Sequence, residues 1–307
     1  MSLSALALVL LAAPLHASRN IATKRAGGDH RFTPFTSPLT SVLWLPAALW
    51  FGGHEVPRWG WLQWGVIGLS AVAHLLYFNM LFTGYRKAEL TVVYPLARGS
   101  ATLWMACAAV LLLGESLHWL GALGVLAVWG GAFLIAGGPA LWRATHDPAR
   151  RARTQAGVSR SLITGATTAA YSVIDGYAIK VLAIGPVIFD CACNVLRVPL
   201  QLRTLLRNRP GLQQARRTQC KHPLLVVTLG LLAYILVSYA LMLAALAPLS
   251  PLSHVAPARE FSLLVAALRG GRLLGEDDRG LRLLGQDDGG LRQLSAGCIA
   301  GGAMALA

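Results

Sequence analysis

Apolar runs of roughly the ~20 residues that a helix needs to cross ~30 Å of hydrocarbon recur along the whole chain, separated by short polar connections. They fall at 3–21, 35–52, 62–84, 90–113, 119–137, 159–181, 184–202, 223–246, 251–268 and 292–307. The pattern predicts an all-α integral membrane protein of ten transmembrane helices, with no soluble domain. The first run could be mistaken for a secretion signal. It lacks a basic start, however, and its charges follow the apolar stretch, so it reads as a span.

Composition sharpens this picture. Of 307 residues, 55% are hydrophobic and 13% charged, and the mean hydropathy is +0.55, far more apolar than a soluble domain of this size. The formal charge of +14 does not point to nucleic acid, because the basic residues lie between apolar spans and not on one solvated face. Numbered in chain order and counted together with the three residues at each adjoining span end, the odd connections carry 22 Lys and Arg and the even ones 2. By the positive-inside rule the odd connections are cytoplasmic and both termini lie outside, as in a multi-pass protein of a bacterial inner membrane. The basic connections also suit contact with anionic lipid. The five cysteines form no CxxC pair and no zinc spacing. There is no HExxH, no Walker loop and no GxGxxG, so neither metal, cofactor nor direct ATP use is expected.

Internal repetition dictates the architecture. "YPLARGS" (Tyr94 to Ser100) and "VAPAREFS" (Val255 to Ser262) each place proline and arginine in apolar sequence, and in both copies a Gly-Glu glutamate follows the arginine by 17 residues. "HASRNIATK" and "YSVIDGYAIK" also correspond, each ending in a lysine, Lys24 four residues after Asn20 and Lys180 five after Asp175. The chain therefore divides into a five-helix unit at 1–137, a cytoplasmic linker at 138–158 and a second five-helix unit at 159–307. Five is odd, so the second unit enters the membrane from the opposite side, giving two inverted five-helix repeats. The second unit departs from the first in a tandem copy, "RLLGEDDRGL" then "RLLGQDDGGL", at 272–291. Its acids exclude it from lipid and leave the tenth helix short or perturbed.

With "LLLGESLHWLGALGVLAVWGGAFLIA" and "AYSVIDGYAIK", these motifs make nearly the whole chain resemble the ten-helix, EamA-like branch of the drug/metabolite transporter superfamily. The resemblance implies a bacterial inner-membrane carrier, often an exporter of amino acids, drugs or other small metabolites. It also implies that the first and sixth helices line the pathway, and that the glycine-rich faces at 130–138 and 297–307 support bundle or homodimer contacts.

Charged groups at membrane depth cost at least ~2.5 to 3.5 kcal/mol and so face a cavity or a partner. Arg98, with Tyr94 one turn earlier, and Arg259 are candidates for binding an anionic group or for a structural tie; Glu260 could serve Arg259 as counter-ion. Asp175 is the acid near the centre of the sixth span, four residues after Tyr171. A carboxyl shielded from water can take up and release a proton as its surroundings change, which suits proton coupling; the alternative is a static pair, with Lys180 for instance. His16, Arg19 and Asn20 share one side of the first span. Asn79, Asn194 and Arg197 are further polar candidates, whereas His74 and His254 read as structural. Trp44, Trp50, Trp59, Trp61, Trp64 and Trp119 sit near span ends, as in aromatic belts. The expected function is secondary transport, most simply export, of a small polar or amphipathic metabolite. The rivals are a membrane-embedded enzyme acting on lipid-linked groups and a decayed, non-transporting remnant.

Overall fold

The computed structural model describes residues 33–87, 90–113, 118–136, 138, 148–207 and 221–246, with helical residues of two further stretches between 7 and 22 and between 294 and 302. Among the described residues the fold is all-helical, without a strand. The long helices are α1 (Thr33–Gly52), α2 (Trp61–Lys87), α3 (Leu90–Leu113), α4 (Trp119–Ile135), α5 (Pro148–Lys180), α6 (Pro186–Arg207) and α7 (Lys221–Leu246). All but α5 match their apolar runs to within five residues at either end. Helix α5 starts eleven residues before its run. Proline opens it without losing a needed N–H, and the Ala, Arg and Gln that follow are strong helix formers, so the helix extends beyond its apolar part. The ninth span and the tandem copy at 272–291 lie outside the described residues.

By length and composition, one described stretch, Trp61–Gly84 with a mean hydropathy of 1.6, is suited to cross a membrane; Trp119–Ile135 and Leu224–Val237 are apolar but shorter. Many large apolar side chains point outward. Trp50 is 83% exposed, Trp61 86% and Leu111 80%, an arrangement that is costly in water and favourable in lipid. Hydroxyls inside the helices often bond their own backbone: Ser41 Oγ donates to the Ser37 carbonyl at 2.9 Å, and Thr168 Oγ1 to that of Thr164 at 2.8 Å. Such bonds satisfy a polar atom locally in dry surroundings.

Helix α5 packs broadly against α2 and α3, and α6 against α1, so the broadest contacts join helices distant in the chain. Contacts of α6 with α2 are matched by contacts of α7 with α1. At Gly165 the α5 backbone meets α3 so closely that a Cβ would collide with Ser100 Oγ and stand 2.9 Å from the Ala101 nitrogen. The glycine face of α4 receives the C-terminal helical residues: a Cβ on Gly131 would lie 2.7 Å from Ile299 Cγ1. The small faces expected from sequence thus pack against each other.

One end of the bundle is packed shut. Ala48, Ile67, Ala178, Ile184, Val187, Ile188, Phe189, Cys191 and Cys193 form a single buried apolar cluster. Beside it, Glu55 accepts a 2.9 Å hydrogen bond from the Gly185 nitrogen. That places a carboxylate at the start of α6, where the helix dipole favours it.

Candidate functional site

Polar groups converge where α2, α5, α6, α7 and the N-terminal helical residues meet. A cavity of about 90 Å³ is bordered there by His16, Arg19, His74, Tyr77, Phe78, Tyr171, Asp190, Asn194, Arg197 and Tyr234, with Thr36, Thr40 and apolar residues of α2 and α7 completing the wall. Two constellations carry its chemistry.

The first centres on Asp175 of α5, buried at 5% exposure. Ser70 Oγ donates to its Oδ1 at 2.6 Å and Tyr234 Oη donates to its Oδ2 at 3.0 Å. His74 Nε2 lies 3.7 Å from the same Oδ2, while its Nδ1 is 3.0 Å from the Ser70 carbonyl. A carbonyl can only accept, so the partners assign a proton to Nδ1. An unprotonated Nε2 facing an ionised carboxylate would oppose two lone pairs. The imidazole and the carboxyl are therefore held so that one proton between them removes the conflict. Tyr171, one turn before Asp175, stacks on His74 with ring centroids 4.1 Å apart, and Tyr77 meets the edge of Tyr171 at 5.3 Å.

The second constellation runs along α6. Asp190, Asn194 and Arg197, at i, i+4 and i+7, share one face. Asn194 Nδ2 donates to the Asp190 carbonyl at 2.8 Å and to its Oδ2 at 3.0 Å. Arg197 Nε donates to the Cys193 carbonyl at 3.4 Å. The guanidinium carbons of Arg197 and Arg19 lie 5.9 and 5.4 Å from the centre of the Phe78 ring, within cation–π range. Arg19 also lies against α7 at Gly230, where a Cβ would stand 2.8 Å from Nε. The absence of a side chain at 230 makes room for the arginine.

His16 and Tyr171 line the cavity as the sequence suggests, and Asp175 is reached through His74 and Tyr234 on its wall. Arg98 and Tyr94 are buried in α3 but do not border the cavity, lying instead near the tight crossing with α5. Asn79 is exposed. Asn20 and Arg259 lie outside the described residues. His74, read from sequence as structural, holds a place on the cavity wall. Sequence reasoning missed Asp190, although an acid inside "PVIFDCACNVL" with polar residues one and two turns later is the same kind of signal as Asp175. Ser70 and Tyr234 carried no signal, because hydroxyls are common in apolar helices.

No protein-family model matches the chain, and no curated protein matches it. A solved structure, described only as the crystal structure of a protein, superposes with a TM-score of 0.65 at 17% identity, covering 98% of this chain and 96% of its own. That likeness shows a shared fold over nearly the whole chain.

Proposed function

We propose that the protein is a secondary transporter that exports a small polar or amphipathic metabolite across a bacterial inner membrane by alternating access. It spans the bilayer ten times as two inverted five-helix repeats of the EamA-like kind. The observation that carries the reading is a charged chamber enclosed by helices whose outer faces are apolar. Charges held at such depth are costly unless they serve a pathway.

The contact pattern supports inverted repeats. A twofold relation pairs each span with the one five places later, so the contact of α6 with α2 should recur as that of α7 with α1, and it does. Contacts of α1 with α6, and of α4 with the C-terminal helical residues, map onto themselves. Much of the chamber wall comes from helix ends adjoining the Arg-rich connections, including Thr36, Phe82 and Val226, whereas the opposite end is closed by the apolar cluster and Glu55. In this reading the chamber faces the cytoplasm. The Asp175–His74 pair couples a proton to the change of access.

Purified protein in liposomes, given a panel of radiolabelled small amino acids, organic acids and amphipathic drugs, tests the reading. At least one solute should move faster when a pH gradient is imposed. The Asp175→Asn variant should exchange that solute while losing the response to the gradient. Absence of any protein-dependent flux, or identical behaviour of the two proteins, would reject it.

A further inference from the structure

The end of the bundle opposite the chamber carries a polar contact between two connections, 53–60 from α1 to α2 and 181–185 from α5 to α6. The Gly185 nitrogen donates to Glu55 Oε2 at 2.9 Å across them, and among the described residues no other hydrogen bond joins these two segments. Local structure aims the carboxylate. The Glu55 nitrogen bonds the Gly52 carbonyl at 3.0 Å and the Arg58 nitrogen bonds the Glu55 carbonyl at 2.9 Å, which sets Glu55 at the head of a short 3-10 turn, Val56–Arg58. Gly185 accepts the first bond of α6, from the Phe189 nitrogen at 2.9 Å, so it caps the helix and its own N–H finds no partner inside it. In a capping box, a glutamate three residues into the same helix meets that N–H. Here the third helical residue is Ile188, buried in the apolar cluster, and the donor is met from 130 residues away. Glycine allows the approach, since a Cβ at 185 would stand 2.8 Å from Glu55 Oε1.

Two kinds of contact therefore hold this end shut. The apolar cluster joins residues of α1, α2, α5 and α6, and such contact is strong but without direction. The Glu55 bond supplies direction, fixing which part of one connection meets the other. It also releases at low cost once water enters, because the carboxylate and the N–H both regain hydrogen bonds there. We infer that the Glu55–Gly185 contact is the latch of the outer gate: it holds this end closed while the chamber is open at the other, and it breaks before this end opens. The inference rests on reading the protein as an alternating-access carrier whose chamber faces the cytoplasm.

Cys191 reports opening of this end without requiring a known solute, because it lies in the apolar cluster at 2% exposure. In a full-length chain that keeps Cys191 and has serine at positions 107, 193, 220 and 298, a membrane-impermeant maleimide is added to intact spheroplasts. Labelling of Cys191 should be at least about threefold faster in Glu55→Ala, the effect of losing one part-buried hydrogen bond. Glu55→Gln should give a smaller increase, since its amide oxygen still accepts the bond without the charge, and it serves as the test where the alanine variant fails to accumulate. Gly185→Ala should also speed labelling, because its methyl group displaces the carboxylate. Added to Glu55→Ala, it should bring no further increase, as expected of two changes to one contact. Val128→Cys, fully buried on α4, serves as a control in a chain lacking the native cysteines, and its labelling should be unaffected by Glu55→Ala. Unchanged labelling of Cys191 in the Glu55 variants, equal acceleration at Val128→Cys, or independent effects of the Glu55 and Gly185 substitutions would overturn the inference. Faster labelling of Cys191 without flux of any solute in liposomes would reject the transporter and leave the latch standing. Flux with unchanged labelling would do the reverse.

Discussion

At the scale of single residues, a few hydrogen bonds decide whether buried charge is tolerable. Ser70 serves twice: its hydroxyl holds Asp175 and its carbonyl holds His74, and the same hydroxyl lies 3.2 Å from His74 Nδ1. Ser70→Ala removes both hydroxyl contacts and keeps the carbonyl, so it should cost about 1 to 3 kcal/mol and lower the thermal unfolding midpoint in detergent. His74 remains fastened by backbone. A midpoint unchanged by the substitution would show that the Ser70–Asp175 bond contributes nothing. Ala183 makes the opposite prediction. It lies within the α5–α6 connection with a positive φ of 53°, just before Ile184, whose nitrogen closes α5 with a bond to the Ala178 carbonyl at 3.1 Å. Glycine is the usual occupant of such a helix-terminating position, and a Cβ there is strained by about 1 kcal/mol. Ala183→Gly should therefore raise the midpoint, against the usual destabilising effect of glycine. A lowered midpoint would show that the turn carries no such strain.

At the scale of elements, the helices were legible because each apolar run is a local property. Its regularity follows from the need to satisfy backbone groups internally, and in the proposed transporter its length matches the hydrocarbon thickness. The start of α5 at Pro148 shows the limit of that signal, since a helix continues into water wherever its residues favour it, whatever their polarity. Helix pairing depends on how closely backbones approach, and Gly165 sets that distance for α5 and α3. Gly165→Val would drive a branched side chain into Ser100 and the α3 backbone. The expected loss is about 1 to 3 kcal/mol, read as a lower unfolding midpoint and reduced accumulation in membranes. Wild-type stability in that variant would mean that the crossing is looser than described. Arg98 stands at this crossing, and the repeat that drew attention to it identified a position in the packing without identifying the cavity.

At the scale of the whole molecule, the proposed inverted threading makes a claim about sidedness. His54 lies in the connection between the second and third spans, and Gln213 in the corresponding connection of the other half. In a cysteine-free chain, a membrane-impermeant thiol reagent should label His54→Cys in intact spheroplasts and Gln213→Cys only after lysis. Labelling of both from the same side would remove the inverted arrangement, and with it the alternating chamber.

The amino-acid sequence by itself determined where the helices run, where charge is excluded from them, and that Asp175, His16 and Tyr171 are unusual for their setting. Those properties follow from residues close together in the chain. Only the tertiary structure decided that Asp175 meets Ser70, 105 residues away, and Tyr234, 59 away, and that Arg197 and Asp190 share a cavity while Arg98 does not. A helix apolar nearly all round carries no periodic signal for which side turns inward. Its rotation is set by the neighbours it packs against, and that rotation selects the polar side chains that converge.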